Sequence, residues 1–490
     1  MQSIWRISAD YNEGKRLDGD INAEAAVIGG GMAGMLISYY LNKNGIDTVV
    51  LEADEIGSGQ TKNTTAKITS QHRLIYSRIA DKMGMAAAYK YASLNQRAID
   101  EYESLIKERD IKCEFKRASA FLYTQTKADK FDREVRVARR LGIDARMTKD
   151  TELPFSVESA LEFKNQAEFH PLKFLYALAQ GLRIYEHTRA LRVENNTVIT
   201  DGGSVRAKYI IFATHYPFVN FPGMYFMRMH RERSYVLAIS AGKTMENMYL
   251  GIDEDGLSFR GSRGAILIGG GSHRTGEGSS AVYDMLSNTA EKYYPEFSEL
   301  CRCSAQDCVT LDGMPYIGSY SKKDKNKYIA TGFGKWGMTS SMISALVISD
   351  MICGRERPCA NIFSPQRNNI DLTFRPLMKE TGHAVRGLSK RIFSMPKKTA
   401  DDLKPGQAEV VWYNGKRAGV YKDENGECFA VSPKCPHLGC RLEWNPDEKT
   451  WDCPCHGSRF DYHGELIDNP AQKLNISIRK EPVIDKKYGA

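Results

Sequence analysis

The chain has 490 residues, of which 42% are hydrophobic and 10% aromatic, and its formal net charge is +8. This composition excludes a disordered chain and indicates a globular protein with two or three domains. Lysine and arginine are spread along the sequence, which argues against a nucleic-acid partner. No run of eighteen apolar residues occurs and the start lacks an apolar signal region, so we expect no transmembrane segment and a cytoplasmic location.

The first elements predict a dinucleotide site. An apolar run at Ala25–Ile28 is followed by a glycine-rich turn, a helical pattern and a second apolar run that ends at Glu52. In this arrangement Gly29 permits the tight turn, Gly31 lets a pyrophosphate approach the backbone, and Gly34 lets the helix pack on the strand. The helix N-terminus then faces the phosphates, and Glu52 can accept hydrogen bonds from ribose hydroxyls.

The middle of the chain predicts both helices and strands. The stretch from Ser70 to Lys164 is helix-rich, and the apolar spacing in Ala88–Ile106 and Lys127–Leu141 is typical of amphipathic helices. Met227–Ile239 and Leu257–Ile268 have the pattern of strands.

A second glycine turn, Gly332–Thr339, follows the strand pattern Tyr328–Thr331 and opens a long amphipathic helix that runs to about Cys353. The N-terminal dipole of such a helix favours the negative charge that a flavin ring gains on reduction. An ordinary strand–helix turn is the alternative interpretation.

These segments resemble those of the D-amino-acid oxidase-like family of FAD-dependent oxidoreductases. The resemblance covers about residues 20–360 and includes the segments 58–61, 64–67, 170–172, 186–190, 209–214 and 312–318. It implies noncovalent FAD under a roofing sheet, with Ser58 and Thr65 near the pyrophosphate or the flavin and the backbone of Ala190 near adenine. The residues that it places along the flavin ring are Gly334, Gly337, Met338 and Thr339, and Gly332 of the same turn is a further candidate for cofactor binding.

The same region offers candidates for substrate recognition, but no residue can be assigned a catalytic role. An amino-acid substrate needs a cation for its carboxylate, usually an arginine, and the candidates are Arg231, Arg233, Arg260 and Arg274. The residues that could face or adjust the flavin ring are Lys67, His72, Tyr235, Lys335 and Trp336. A structural or surface role is the alternative for each of them.

A separate NAD(P)H site is not expected. The best candidate for a second dinucleotide fingerprint is Ile266–Arg274, where Arg274 stands in the position of the third glycine and no helical pattern follows.

Near the C-terminus, two boxes of cysteine and histidine predict a metal centre. They are Cys435–Cys440 and Cys453–Ser458, and each offers one cysteine–histidine pair plus a second cysteine. Two thiolates and two imidazoles suit a [2Fe–2S] cluster in which histidine replaces cysteine on one iron. A structural zinc site accepts similar spacings and is the alternative. The chain has eleven cysteines, and those outside the boxes form no obvious framework, which fits a reducing compartment.

Both boxes resemble those of Rieske proteins of the cytochrome bc and b6f branch, over about residues 405–490. The resemblance implies Cys435 and Cys453 on one iron, His437 and His456 on the other, and a disulfide between Cys440 and Cys455.

Three further positions bear on the cluster. Ser458 stands where the family places a hydroxyl that donates to a cluster sulfide, and Asn469–Ala471 resembles the proline loop that closes the cluster. The usual tyrosine is Phe460 here. Because hydrogen bonds to sulfur raise the potential of a cluster, we expect a potential below that of the respiratory proteins.

The sequence therefore predicts an α/β fold with a Rossmann-like FAD-binding domain, a mixed α+β substrate domain and a small all-β Rieske domain. The FAD-dependent region spans 1–360, with FAD-binding segments at about 20–70, 180–220 and 310–360 and the substrate domain at about 71–179 and 221–309. A polar connector spans 361–404, with a short helix predicted at Lys379–Phe393, and the Rieske domain spans 405–490.

The predicted function is that of an FAD-dependent oxidoreductase. It would oxidise a small amine or amino acid at a CH–NH or CH–NH2 group, as a dehydrogenase in preference to an oxidase. Electrons would pass from FAD through the [2Fe–2S] cluster to an external one-electron acceptor. One alternative is a reductase that relays electrons between a reduced carrier and a partner without a small organic substrate. Another is a redox sensor in which the cluster state changes partner binding.

Overall fold

The computed structural model of the protein describes residues 2–126, 128–277, 281–367 and 396–472. The chain forms two compact units, Met1–His273 with Val282–Leu377 and Arg274–Ala281 with Met378–Ala490. Most of the predicted connector 361–404, including the helix predicted at Lys379–Phe393, lies outside the described residues.

The helices of the described residues belong to the first unit. They are α1 (Ile4–Ile7), α2 (Met32–Lys43), α3 (Ile75–Met83), α4 (Met85–Glu108), α5 (Asp129–Arg140), α6 (Pro171–Ala179), α7 (Val282–Tyr293) and α8 (Gly337–Ile352). Short 3₁₀ turns occur at Gln60–Asn63, Tyr225–Met227 and Pro358–Phe363, and one at Ala400–Asp402 belongs to the second unit. Of the helices in the described ranges, none is both long and apolar enough to cross a membrane.

The strands of the first unit form two sheets. In chain order they are β1 (Ile21–Ile28), β2 (Thr48–Leu51), β3 (Lys67–Ile68), β4 (Lys116–Thr124), β5 (Ala145–Thr148), β6 (Ser159–Glu168), β7 (Arg183–Tyr185), β8 (Ala190–Glu194), β9 (Thr197–Thr200), β10 (Ser204–Phe212), β11 (Met229–Ser240), β12 (Met248–Gly251), β13 (Ser258–Ser262), β14 (Ala265–Arg274), β15 (Ser298–Thr310), β16 (Tyr316–Ser319) and β17 (Lys327–Thr331).

The first sheet has the order β16-β17-β10-β1-β2-β7, with β8 and β9 attached to β10. Strand β1 pairs in parallel with β2 on one side and with β10 on the other, and β10 pairs in parallel with β17. The apolar half of β1, Ala25–Ile28, is buried, as expected for a parallel strand covered on both faces. Because parallel strands end at the same edge, the residues that follow β1, β2, β10 and β17 meet there.

The second sheet has the order β15-β11-β14-β13-β12-β4-β6-β3, with β5 paired to β6, and we call it the roof sheet. The strand predicted at Met227–Ile239 is β11. The single strand predicted at Leu257–Ile268 is a hairpin, β13 and β14, because Arg263 and Gly264 adopt positive φ angles of 51° and 80° and form a tight turn.

The helix-rich region predicted at 70–164 contains α3, α4 and α5, but it also contains β4, β5 and β6. The predicted helices at Ala88–Ile106 and Lys127–Leu141 correspond to α4 and α5. Most residues of β6 are buried. Its sequence mixes apolar with polar and charged residues and lacks the regular alternation that marks a half-exposed strand, so periodicity alone does not reveal it.

The two faces of the roof sheet have different surroundings. Residues Tyr235, Leu237 and Ile239 of β11 pack in one apolar cluster with α7. The alternate residues Val236 and Ala238 line a small cavity together with Trp5, Leu267 and Thr64, a residue of a segment that resembles the FAD site. We call the face that carries Val236 and Ala238 the flavin-side face, after the flavin position that the resemblance implies.

The second unit is built from short antiparallel strands. These are β18 (Ala408–Tyr413), β19 (Lys416–Lys422), β20 (Cys428–Val431), β21 (Glu443–Asn445), β22 (Thr450–Asp452), β23 (Arg459–Asp461) and β24 (Leu466–Asp468). They form the sheets β18-β19-β20 and β21-β22-β23-β24. The predicted small all-β domain is thereby confirmed.

Candidate cofactor sites

The first glycine turn tolerates no side chain at two of its positions. Gly29 has a φ of 110°, and a Cβ there would lie 2.5 Å from the Ala213 carbonyl oxygen. A Cβ on Gly34 would lie 1.9 Å from the Gly29 carbonyl oxygen. The turn, α2 and β10 therefore pack as closely as a dinucleotide-binding turn requires. A Cβ on Gly31 would meet only the Thr61 hydroxyl, at 3.3 Å.

Glu52 lies at the end of β2, beside this turn. Its Oε2 accepts a hydrogen bond from Gly30 N–H at 2.6 Å, and its Oε1 accepts one from Asp54 N–H at 3.0 Å. Burial raises the pKa of Glu52, and these backbone hydrogen bonds oppose that shift. Each carboxylate oxygen has a second lone pair, so the side chain can also accept bonds from ribose hydroxyls.

Ser58 and Ala190 lie on segments attached to the same edge. Gly57 N–H donates to the Gly30 carbonyl at 3.0 Å, which brings the loop of Ser58 to the glycine turn. Thr188 N–H donates to the Glu52 carbonyl at 2.8 Å, and Ala190 begins β8 two residues later. We propose that the glycine turn, Glu52, Ser58 and Ala190 hold the adenine and pyrophosphate end of FAD.

The second glycine turn joins β17 to α8, and α8 packs against α2. Gly332 and Gly334 have φ angles of 73° and 55°, and a Cβ on Gly334 or Gly337 would meet open space. Thr339 Oγ1 donates to the Thr69 carbonyl at 3.2 Å, which joins the start of α8 to the segment that follows Thr65. We propose that Thr65 and the predicted residues of this turn border the flavin ring, where the N-terminus of α8 would favour negative charge.

His72 packs against the second glycine turn. Its ring stacks on Trp336 with 4.5 Å between centroids, its Nε2 donates to the Thr69 carbonyl at 2.7 Å, and its Nδ1 lies 2.5 Å from the Tyr91 hydroxyl. Burial lowers the pKa of His72 to about 3, so the ring is neutral. These contacts favour a structural role for His72.

Lys335 of the same turn contacts the roof sheet. Its Nζ lies 2.8 Å from Glu232 Oε2 and 2.6 Å from Ser272 Oγ. The hydrogen bond from His230, followed by the charge of Lys335, holds the pKa of Glu232 below its usual range. Sequence reasoning did not single out Glu232 or its cross-strand neighbour Asp307, because only the register of β11 and β15 brings them together.

The arginine candidates lie apart. Arg231 and Arg233 share a face of β11 with Tyr235, opposite the flavin-side face, and the guanidinium of Arg231 stacks 4.7 Å from the Tyr216 ring.

Arg260 lies on the flavin-side face but forms a buried ion pair with Glu168 at 2.8 Å. Its guanidinium also donates to the Thr65 and Phe169 carbonyls. Arg274 belongs to the second unit, where its Nε donates to the Pro454 carbonyl at 3.3 Å.

Lys67 extends over the flavin-side face. Its Nζ donates to the Tyr249 carbonyl at 2.8 Å and to Ser258 Oγ at 2.6 Å. Burial, with the nearby charge of Arg260, lowers the pKa of Lys67 to about 7. This amine therefore changes its charge near neutral pH.

The two boxes of the second unit fold into matching loops. Cys435 N–H donates to the carbonyl of Cys440, and Cys453 N–H donates to the carbonyl of Ser458, each at 2.8 Å. Gly439 and Gly457 adopt φ angles of 79° and 75° and close the loops by donating to the carbonyls of the respective first cysteines. Equal spacing therefore produces equal backbone geometry.

This geometry brings the predicted ligands together in two pairs, one of cysteines and one of histidines. The side chains of Cys435 and Cys453 are buried and hydrogen-bonded to each other, and the rings of His437 and His456 are perpendicular with 4.9 Å between centroids. Two neighbouring thiols and two neighbouring imidazoles fit a cluster with cysteine on one iron and histidine on the other. We propose these four residues as its ligands.

The predicted disulfide between Cys440 and Cys455 is confirmed, with 6.6 Å between the Cα atoms. The sulfurs of both residues lie within 4.8 Å of the Cys453 sulfur. Because they are bonded to each other, they do not act as metal ligands. The disulfide joins the two loops.

Further side chains shape the loops. The Ser458 hydroxyl contacts Cys435 and accepts a hydrogen bond from Ala471 N–H at 3.0 Å, so the Asn469–Ala471 segment lies against the second box. Phe460 is fully buried in the same apolar cluster as the box cysteines. Sequence reasoning missed Arg459, which is buried between three carboxylates, those of Glu448, Asp452 and Asp468.

Comparison with known proteins agrees with both resemblances. A family model described as FAD dependent oxidoreductase matches residues 24–351, and one described as Rieske [2Fe-2S] domain matches residues 394–479. YhfW of Bacillus subtilis, which is named as a Rieske 2Fe-2S iron-sulfur protein, is 38% identical over 96% of each chain. The menaquinol:cytochrome c reductase iron-sulfur subunit of Geobacillus thermodenitrificans is 39% identical over 19% of this chain and 59% of its own length.

Two solved structures share the fold of the first unit. L-proline dehydrogenase from P. horikoshii has a TM-score of 0.60 and 19% identity over 72% of this chain and 98% of its own. Glycine oxidase from Geobacillus kaustophilus has a TM-score of 0.60 and 18% identity over 71% of this chain and 99% of its own.

Proposed function

Because the chain belongs to the family of FAD-dependent oxidoreductases and carries a Rieske [2Fe–2S] domain, we propose that it is a dehydrogenase of a small amine or amino acid that passes electrons through the cluster to an external acceptor. The observation that carries the proposal is the presence of both cofactor sites in one chain. FAD accepts two electrons as a hydride, whereas a Rieske cluster accepts one. The combination suits the conversion of a two-electron oxidation into single-electron steps.

Oxidation of a CH–NH group to C=N removes two electrons and two protons. One proton leaves with the two electrons as hydride, and the other goes to solvent. The cluster must then be reduced and reoxidised twice for each substrate molecule. We also propose that the substrate is oxidised in the FAD-dependent region 1–360 and that the Rieske domain 405–490 passes the electrons on.

The substrate class is supported by the fold. L-proline dehydrogenase and glycine oxidase, which share it, are named for reactions at amino acids. An α-carboxylate needs a cation, but Arg260 is engaged with Glu168, and Arg231 and Arg233 lie on the face away from the flavin side. Lys335, paired with Glu232, and Lys67 are the cations that we expect nearest a substrate. Amines without a carboxylate therefore belong among the candidates.

The test is anaerobic reduction of the purified protein, followed by optical and electron paramagnetic resonance spectra. Matched substrate pairs, such as glycine with methylamine and proline with pyrrolidine, separate the need for an amine from the need for a carboxylate. Bleaching of the flavin by one member, followed by a Rieske-type signal, is the expected result. Reduction by NAD(P)H alone, or by no member of the panel, would overturn the proposal and favour a relay without an organic substrate.

A further inference from the structure

Asp307 links the roof sheet to the second glycine turn. It lies on β15 directly opposite Glu232 of β11, which is paired with Lys335 of that turn at 2.8 Å. Next to it, Gly334 N–H donates to the Cys308 carbonyl at 2.9 Å. The half-buried Asp307 therefore lies between Glu232 and Cys308, two residues that contact the turn proposed to border the flavin ring.

Of the two facing carboxylates, Glu232 forms an ion pair with Lys335, whereas Asp307 forms none within the described part of the chain. Lys335 forms its ion pair with Glu232 at 2.8 Å, and His230 Nε2 lies 3.1 Å from the same carboxylate. Glu232 is thus stabilised as an anion, and it disfavours a second negative charge on Asp307 across the strand pair. The positive charges of Lys335 and of Arg233, the next residue of β11, instead lower the pKa of Asp307.

Other charged groups lie on the elements that pack against β15. Lys62 belongs to the 3₁₀ turn Gln60–Asn63, and Arg6 of α1 is paired with Glu55 at 2.7 Å. The net result is that the pKa of Asp307 is raised to about 6, mainly by burial, with Glu232 adding to the shift. A modest change in local charge near neutral pH is then enough to change its protonation.

We propose that Asp307 takes up a proton when FAD is reduced and releases it when the electrons leave. FAD reduced by two electrons and one proton carries an added negative charge on its flavin ring. Asp307 lies beside the turn that is proposed to border this ring. The Asp307 carboxylate takes one further proton from solvent, so that two electrons are balanced by two protons. The inference rests on the placement of the second glycine turn at the flavin ring and not on the identity of the substrate.

The proton uptake has a defined pH window. Below the pKa of Asp307 in the oxidised protein the side chain is protonated in both redox states, and above its higher pKa in the reduced protein it is ionised in both. Only between these values does reduction take up the additional proton. There, one extra proton per two electrons steepens the dependence of the flavin potential on pH by about 30 mV per pH unit.

The experiment is an anaerobic titration of the flavin potential across the neutral pH range, with the holoprotein and three variants. Asp307→Asn keeps the size of the side chain but removes the titrating group, so the steeper segment should disappear. Glu232→Gln removes the like charge and should move the segment to lower pH. Lys335→Met removes a cation and should move it to higher pH. The matched control is Glu299→Gln, an exposed carboxylate on the same strand, which should change nothing.

A purely structural role for Asp307 would not produce opposite shifts in the Glu232 and Lys335 variants. Infrared difference spectra provide an independent readout, because the carbonyl band of a protonated carboxyl group should appear on reduction and be absent from Asp307→Asn. Persistence of the steeper segment and of the band in Asp307→Asn would contradict the proposal. So would potentials that are identical in all variants at every pH.

Discussion

At the scale of single residues, Phe460 distinguishes this cluster site from the Rieske proteins that it resembles. Its ring is fully buried among the cysteines of the two boxes. A phenylalanine offers no hydroxyl, whereas Ser458 is placed against Cys435 and keeps its proton for donation, because its oxygen accepts the bond from Ala471 N–H. The proposed cluster site therefore offers the Ser458 hydroxyl as a donor but has none at position 460.

We predict that Phe460→Tyr raises the midpoint potential of the cluster. A hydrogen bond of about 1 kcal/mol that favours the reduced state corresponds to roughly 40 mV for a one-electron couple. Ser458→Ala should shift the potential in the opposite direction. Protein-film voltammetry measures both changes, and a lower potential in Phe460→Tyr would count against this account of residue 460.

At the scale of elements, the N-terminal segment 3–17 joins segments that are proposed to bind FAD, and it precedes the residues that the family model matches. Trp5 is 1% exposed, its Nε1 donates to the Thr64 carbonyl at 2.6 Å, and its ring lies against the Arg260 guanidinium. Further along, Tyr11 and Gly14 donate to the Glu186 carboxylate. The segment therefore contacts both the loop that follows Glu52 and the loop that precedes Ala190.

We predict that Trp5→Ala weakens FAD retention. Truncation of a buried tryptophan costs about 3–5 kcal/mol, and if about 1.4 kcal/mol of this falls on FAD binding, the dissociation constant rises tenfold. Ile7→Ala on the same helix is the control, since Ile7 is 60% exposed. Flavin fluorescence released on dilution measures the effect, and equal FAD loss from the two variants would refute it.

At the scale of the whole molecule, the proposed function requires that flavin reduction and delivery of electrons to an acceptor can be separated. The first unit contains the elements proposed to bind FAD, and the second contains the two boxes. Loss of the cluster should therefore leave oxidation of the substrate intact but prevent the transfer of single electrons to an acceptor.

We predict that Cys453→Ser, which removes a buried ligand, abolishes reduction of a one-electron acceptor but leaves the anaerobic rate of flavin reduction by substrate unchanged. Cys428→Ser is the matched control, because Cys428 lies in the same unit outside the boxes and is half-buried. Stopped-flow absorbance separates the two steps. Full acceptor reduction by a Cys453→Ser protein without cluster would show that electrons leave directly from the flavin.

Local sequence was sufficient wherever the chemistry depends on residues close together in the chain. Gly29 and Gly34 could be identified because a turn and a close helix–strand contact restrict these positions to glycine. The cysteine and histidine boxes could be identified because each loop closes within six residues through its own backbone hydrogen bonds. The family resemblance added the FAD residues, whose roles remain proposals, and the Cys440–Cys455 pairing.

Tertiary structure alone decided which side chains meet across the roof sheet. Alternation along β11 separates Arg231 and Arg233 from His230 and Glu232, but it does not reveal which face meets the second glycine turn. The antiparallel register with β15 and the contact of Lys335 with Glu232 determine that choice. Asp307, like Glu232, is an ordinary strand carboxylate in the sequence, and only burial beside a distant turn makes its protonation sensitive to charge near neutral pH.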